Sequence, residues 1–167
     1  MTIRFRHAKE SDLDPVVRTY NATIPSRMVT ADLEPVSTES RMEWFRSHNE
    51  KRRPLWIVEK DGIYAGWISF KSFYGRPAYD GVAEVAIYLE PQMQGTGIGK
   101  KCLDKVIADA PGLGVHTLLG FIFAHNVASL KLFEKMGFER WGCLPRVAEM
   151  DGNFMDLVIL GLKPESN

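Results

Sequence analysis

The sequence predicts an α/β (α+β) domain, on three observations. Apolar and polar residues alternate with a strand's period near the start. A later stretch reads strand, turn, strand, and beyond it a strand, a glycine-rich turn and a helix follow in immediate succession.

Residues 2–7 alternate as a short half-buried strand does. The segment Ser11-Asp12-Leu13-Asp14-Pro15 then offers a capping serine, first-turn acids and an early proline. Leu13, Val16, Val17 and Tyr20 follow at helical spacing, and the helix ends near Ile24-Pro25. A second helix starts at Ser37, carries Met42 and Phe45, and fades at the basic run Lys51-Arg52-Arg53-Pro54, which reads as solvated. Residues 55–59 and 64–73 form a hairpin about Lys60-Asp61-Gly62. Residues 74–81 are a loop and 82–89 a strand. After the glycine-rich segment, Leu103, Val106, Ile107 and Ala110 mark one helical face. Residues 116–123 are apolar enough for a strand buried on both faces. Asn126 opens a short helix closed by Gly137 as a left-handed C-cap, and strands at 138–147 and 154–162 flank a turn at Asp151-Gly152-Asn153.

With 167 residues, the chain is expected to form one domain, 1–167, that buries its core without disulfide or metal staples. The 21 Lys and Arg balance the 21 Asp and Glu, so nothing calls for a nucleic acid or a membrane, and a small ligand is expected. Cys102 and Cys143 form no CxxC pair or His/Cys cluster. They read as reduced, mostly buried thiols, and no metal is expected. No apolar signal core opens the sequence, and no run approaches the roughly 20 residues that span a bilayer, so a cytoplasmic location is expected.

Glycines between a strand and a helix let a ligand approach unpaired N–H groups, and a pyrophosphate is the natural guest. A Walker loop is excluded because Lys101 follows Lys100. A dinucleotide fingerprint is excluded because neither position 100 nor position 102 is glycine. What remains is Gln-x-x-Gly-x-Gly at Gln94, Gly97 and Gly99.

With the strand before it, the helix after it and a second match at Asn126-Val127-Ala128-Ser129 and 132–138, this pattern resembles the coenzyme A signature of the GCN5-related N-acetyltransferases (GNAT). The likeness covers essentially the whole chain. It is nearest the phosphinothricin and methionine sulfoximine N-acetyltransferase branch, through residues 24–30, Trp44-Phe45, 73–79, 83–88 and 149–152.

The resemblance implies a mixed, mostly antiparallel central sheet of six to seven strands with helices on both faces. It also implies a fourth strand that bulges and splays from the fifth. The implied co-substrate is acetyl-CoA, with no metal. Gln94, Gly95, Thr96, Gly97, Ile98, Gly99 and Lys100 would cradle its pyrophosphate, with Lys100 and Lys101 adding charge. Ile87 and Leu89 would bond the pantetheine arm from one side of the opening, and Asn126 and Ser129 from the other. A freed N–H near Ile87 or Tyr88 would meet the developing oxyanion.

An amine must lose a proton to attack, because α-amino groups titrate at roughly 8. Glu84 is the only charged residue in 82–89 and shares a face with Ala86 and Tyr88. It aligns with the base position of the phosphinothricin branch; the alternative is a surface glutamate paired with a cation. Phe133 stands where many family members carry a proton-donating tyrosine and cannot donate, so no general acid is assigned; His125 reads either as a candidate acid or as a loop histidine that packs or caps.

Arg76 and Tyr79 enter the catalytic strand, and an arginine fork suits the carboxylate of a small amine acceptor. Phe73, with Arg27, Trp67, Tyr74 and Met150, would wall the pocket. Other readings are acetylation of a protein N-terminus or a polyamine, or an acyl-CoA sensor without turnover. Relatives pair through their C-terminal strands, so a homodimer stays open.

Overall fold

The computed structural model describes residues 1–165. Its strands are β1 (Ile3–His7), β2 (Leu55–Lys60), β3 (Ile63–Ser72), β4 (Val82–Leu89), β5 (Thr117–Phe123), β6 (Glu139–Met150) and β7 (Asn153–Leu162). They form one sheet in the order β1-β2-β3-β4-β5-β7-β6. Every neighbouring pair is antiparallel except β4 and β5, which run parallel. This is the mixed, mostly antiparallel seven-stranded sheet that the resemblance implies.

The helices are α1 (Leu13–Thr23), α2 (Thr38–Arg46), α3 (Ile98–Asp109) and α4 (Val127–Lys135). Val16 and Tyr20 of α1, with Ile24 just beyond it, pack with Leu55, Ile57 and Trp67 on one face of the sheet. Ile98, Leu103 and Val106 of α3 and Leu130 and Phe133 of α4 pack on the other. The expected helices on both faces follow from this division. The first four residues of β2, Leu55 to Val58, are all apolar because Trp56 and Val58 feed one cluster and Leu55 and Ile57 the other.

Local signals set most boundaries. Asp61-Gly62 and Asp151-Gly152 all hold positive φ, which gives the twist that closes two-residue hairpins between β2 and β3 and between β6 and β7. Ser37 Oγ accepts the Ser40 N–H at 3.1 Å and caps α2. Ser11 does not cap α1. It lies inside a 3-10 turn, where the Asp12 carboxylate accepts the Lys9 N–H at 2.7 Å and pairs with Arg6, drawing the helix start to Leu13. Cys102 is buried, whereas Cys143 is exposed because β6 is an outer strand.

The feature that makes a site is the parting of β4 from β5. Their register runs only through Val82–Thr117, Ala83–Leu118 and Glu84–Leu119, so from Val85 and Gly120 onward the strands diverge. The expected bulge is not seen on the β3 side, where the β4 register is unbroken from Ser72–Ala83 to Gly66–Leu89. The opening therefore begins where the β4–β5 pairing ends, while the β3–β4 pairing continues.

Candidate active site

Two places meet at this opening: a turn that can hold phosphates and a cleft that can hold an amine. The turn lies between β4 and α3. Gly95 and Gly97 hold φ of +71° and +84°, and a Cβ placed on either would meet no atom within 4 Å. Gly97 caps α3. The first main-chain bond into the helix is Lys101 N–H to the Gly97 carbonyl, leaving the N–H groups of Ile98, Gly99 and Lys100 without intrahelical acceptors. Thr96 steadies the loop through its hydroxyl, which donates to the Met93 carbonyl at 2.7 Å. Gln94 is exposed and extended at the loop's entrance. Open space beside unpaired N–H groups at a helix N-terminus fits a pyrophosphate.

The Lys100 side chain does not face this space. Its ammonium pairs with Asp104 one turn along α3, at 3.0 Å, so only its main chain belongs to the cradle.

Main-chain parity along β4 assigns the groups that face the opening. The Glu90 N–H donates to the Ala65 carbonyl at 2.9 Å. Alternation then ties Tyr88, Ala86 and Glu84 to β3 and turns the main chain of Val85, Ile87 and Leu89 away from it. The Gly81 carbonyl, on the same parity, accepts the His116 and Thr117 N–H groups of the β5 side. Ile87 and Leu89 thus present N–H and C=O groups where the strands part. Tyr88 does not: its N–H is bound to β3, and its ring stacks on Trp67 at 4.5 Å. Burial pushes the Tyr88 phenol well above its ordinary pKa.

Across the opening, the Asn126 amide is already committed. Its Oδ1 caps α4 by accepting the Ser129 N–H at 3.2 Å, and its Nδ2 donates to the Met28 carbonyl at 3.1 Å. One Nδ2 hydrogen and the Ser129 hydroxyl remain for a ligand. His125 Nε2 donates to the Arg27 carbonyl at 2.8 Å, which fixes that proton in a structural bond.

The cleft, about 590 Å³, is lined by Trp44, His48, Arg53, Phe73, Glu84 and Phe121 among others. Glu84 extends from β4 on the face shared with Ala86 and Tyr88, which pack toward α1 and α2. Its cross-strand neighbour is Lys71, yet no ion pair joins them among the described residues. Burial raises the Glu84 pKa and Lys71 only partly offsets this.

The structure brings Phe73, Tyr74 and Glu84 together and leaves Arg76 and Tyr79 outside the cleft lining. Arg76 is exposed, while Tyr79 braces Phe73 edge-on at 5.4 Å. Trp67 and Met150, each 2 % exposed, are core residues, and Arg27 is drawn to Asp151 at 2.9 Å. Sequence reasoning missed His48 and Arg53. His48 Nδ1 donates to the Trp44 carbonyl at 2.9 Å. Arg53 is buried rather than solvated. No group of three or more His, Cys, Asp or Glu among the described residues could hold a metal.

A cradle for a pyrophosphate at a helix N-terminus, joined to two parting strands and a cleft with one buried carboxylate, defines an acyl-CoA-dependent transferase. The acetyltransferase (GNAT) domain family matches residues 2–139, and the chain belongs to that family. It is an N-acetyltransferase whose donor is acetyl-CoA. A Bacillus subtilis relative, provisionally named phosphinothricin acetyltransferase YwnH, is 54 % identical over 96 % of this chain and 98 % of its own. The L-methionine sulfoximine/L-methionine sulfone acetyltransferase of Salmonella typhimurium is 28 % identical over 98 % and 94 %. Among solved structures, a phosphinothricin acetyltransferase from Sinorhizobium meliloti in complex with acetyl-CoA shares the fold. Its TM-score is 0.91 at 24 % identity, over 98 % of this chain and 89 % of that one.

Proposed function

We propose that this acetyltransferase acylates the amine of a small amino acid or amino-acid analogue, such as phosphinothricin or methionine sulfoximine, by direct attack in a ternary complex. The observation that carries the reading is Glu84, a half-buried carboxylate with a raised pKa and no ion-pair partner among the described residues, at the point where β4 and β5 part. Acetyl-CoA supplies an activated acyl group. Glu84 takes the proton of the acceptor ammonium, directly or through water, and the Ile87 N–H donates to the acyl oxygen. Ile98, Gly99 and Lys100 hold the pyrophosphate through main-chain N–H groups, and Leu89 and Ser129 border the arm.

Charge in the cleft favours an acceptor bearing an anion. Its lining contains one acid, Glu84, against the cations Arg53 and Lys71, whereas a polyamine site needs several acids. Arg76 forms no ion pair among the described residues, which leaves its guanidinium available for the acceptor's carboxylate on the loop that Tyr79 and Phe73 stiffen. The amino-acid acceptors named for the relatives agree with this. The reading includes a cytoplasmic protein that needs neither nucleic acid nor membrane and that forms a homodimer.

A thiol-release assay with acetyl-CoA and a panel of amines tests the proposal. Turnover is expected with phosphinothricin, methionine sulfoximine or a related amino acid, and little with spermidine or short peptides. Absence of thiol release across the amino-acid panel would overturn it.

A further inference from the structure

The loop of residues 73–81 joins β3 to β4 and brings Phe73, Tyr74 and Gly75 to the cleft. A single side chain holds both of its feet. Arg53 Nε donates to Ser72 Oγ at 3.0 Å, at the end of β3. Its Nη2 donates to the carbonyls of Asp80 at 2.7 Å and Val82 at 3.2 Å, where the chain enters β4. Its Nη1 donates to the Arg52 carbonyl at 2.9 Å.

The Arg53 backbone is fixed as well. Its N–H donates to the Asn49 carbonyl at 3.2 Å and its carbonyl accepts the Asn49 N–H at 2.9 Å. The residue is only 8 % exposed, and no carboxylate pairs with it among the described residues. Burying a cation among neutral oxygens is costly, and truncating it would strand the carbonyls it satisfies. A planar fork with five donors can reach Ser72, Asp80 and Val82 at once, which the point charge of a lysine cannot.

We propose that Arg53 is a positioning residue for the acceptor. By pinning both feet of the 73–81 loop, it sets the wall of Phe73, Tyr74 and Gly75 against Glu84. The inference rests on the amino-acid acetyltransferase reading. Arg52 also touches the loop, through the Asp80 carbonyl at 3.4 Å and its carboxylate at 3.6 Å, but that pair is largely exposed and holds weakly. The phosphate cradle lies beyond Leu89 at the far end of β4, and none of Arg53's partners belongs to it. Arg53 should therefore govern the acceptor and leave the donor alone.

Arg53→Lys, which keeps the charge and loses the span, and Ser72→Ala, which cuts one tie, separate this role from general destabilisation. Steady-state kinetics with each substrate varied, and chymotrypsin cleavage at the exposed Tyr74 and Tyr79, are the readouts. Arg53→Lys should lower kcat/KM for the acceptor about 10- to 100-fold, chiefly through KM, with the acetyl-CoA KM unchanged. The loop should be cut faster, and Ser72→Ala should fall between Arg53→Lys and the wild type on both measures. An unchanged acceptor KM, or equal rises in both KM values, would overturn the proposal. If the wild type acetylates no amino acid, the acceptor reading fails on its own evidence. Loop cleavage then still decides the tie, because an Arg53→Lys loop cut at the wild-type rate would refute it.

Discussion

Glu84 of β4 stands directly across the sheet from Lys71 of β3, and the two form no ion pair among the described residues. Burial gives the carboxylate a raised affinity for a proton, which Lys71 offsets only in part, as a base facing an ammonium requires. Glu84→Gln preserves shape and removes the base. It should lower kcat by about 10²- to 10⁴-fold while the acetyl-CoA KM holds, as steady-state kinetics will show.

The raised pKa also fixes how stability depends on pH. In the unfolded chain this carboxyl ionises near its ordinary 4.5, whereas in the folded protein burial makes it hold its proton to higher pH. Ionisation therefore costs the folded state nothing below about pH 4.5, increasingly more as pH rises toward the folded pKa, and the full amount once pH exceeds it. Glu84→Gln should melt above the wild type at pH 7 and lose that advantage at pH 4. Wild-type activity should rise along an acid limb that the variant lacks. Calorimetry across the pH range checks the first expectation; a gap that stays constant with pH would contradict the raised pKa.

What the sequence disclosed was what neighbours along the chain decide. The Asp-Gly hairpins, the Ser37 cap and the glycine turn before α3 are each set by a few adjacent residues, and all are present. The parting of β4 from β5 came through the family resemblance. Arg53 sits in a basic run whose sequence suggests solvation, and what buries it comes from Ser72, Asp80 and Val82, far along the chain. The motif offers Asn126 and Lys100 to a ligand, but partners in the fold claim much of their capacity: the Ser129 N–H and the Met28 carbonyl for one, Asp104 for the other. Tyr88 and Ile87 could be told apart only once strand register fixed main-chain parity.

Gly97→Ala tests the cradle. At a φ of +84° an L side chain costs roughly 1–2 kcal/mol, and the new Cβ enters space that the first N–H groups of α3 border. Gly62→Ala, at a φ of +80° in the β2–β3 hairpin, provides the control. Both variants should lose similar stability on chemical denaturation. Only Gly97→Ala should weaken coenzyme A binding by titration calorimetry, by about tenfold, which is 1.4 kcal/mol.

Tyr88→Phe asks whether the phenol takes part in the chemistry. Its ring lies against Trp67 and Tyr20, and its hydroxyl is held neutral far above working pH. The variant keeps the ring and should leave both kcat and the pH profile close to wild type. A loss of kcat comparable with that of Glu84→Gln would return the phenol to the mechanism.

Phe133→Tyr places a hydroxyl at the position where the family resemblance implies a proton-donating tyrosine. Here the ring is 7 % exposed and meets Phe138 edge-on at 4.9 Å. It presses so closely on β5 that a Cβ at Gly120 would lie 2.8 Å from it. A hydroxyl added to this packing has to find a partner or be buried without one, at a cost of about 1–3 kcal/mol. A thiol that titrates near 8.5 already leaves tolerably as thiolate, so a new donor has little to accelerate. The variant should therefore unfold at lower urea concentration and show no gain in kcat. Faster turnover at undiminished stability would mean instead that the ring edge faces the departing sulfur, and that the role lost with the missing hydroxyl was chemical rather than structural.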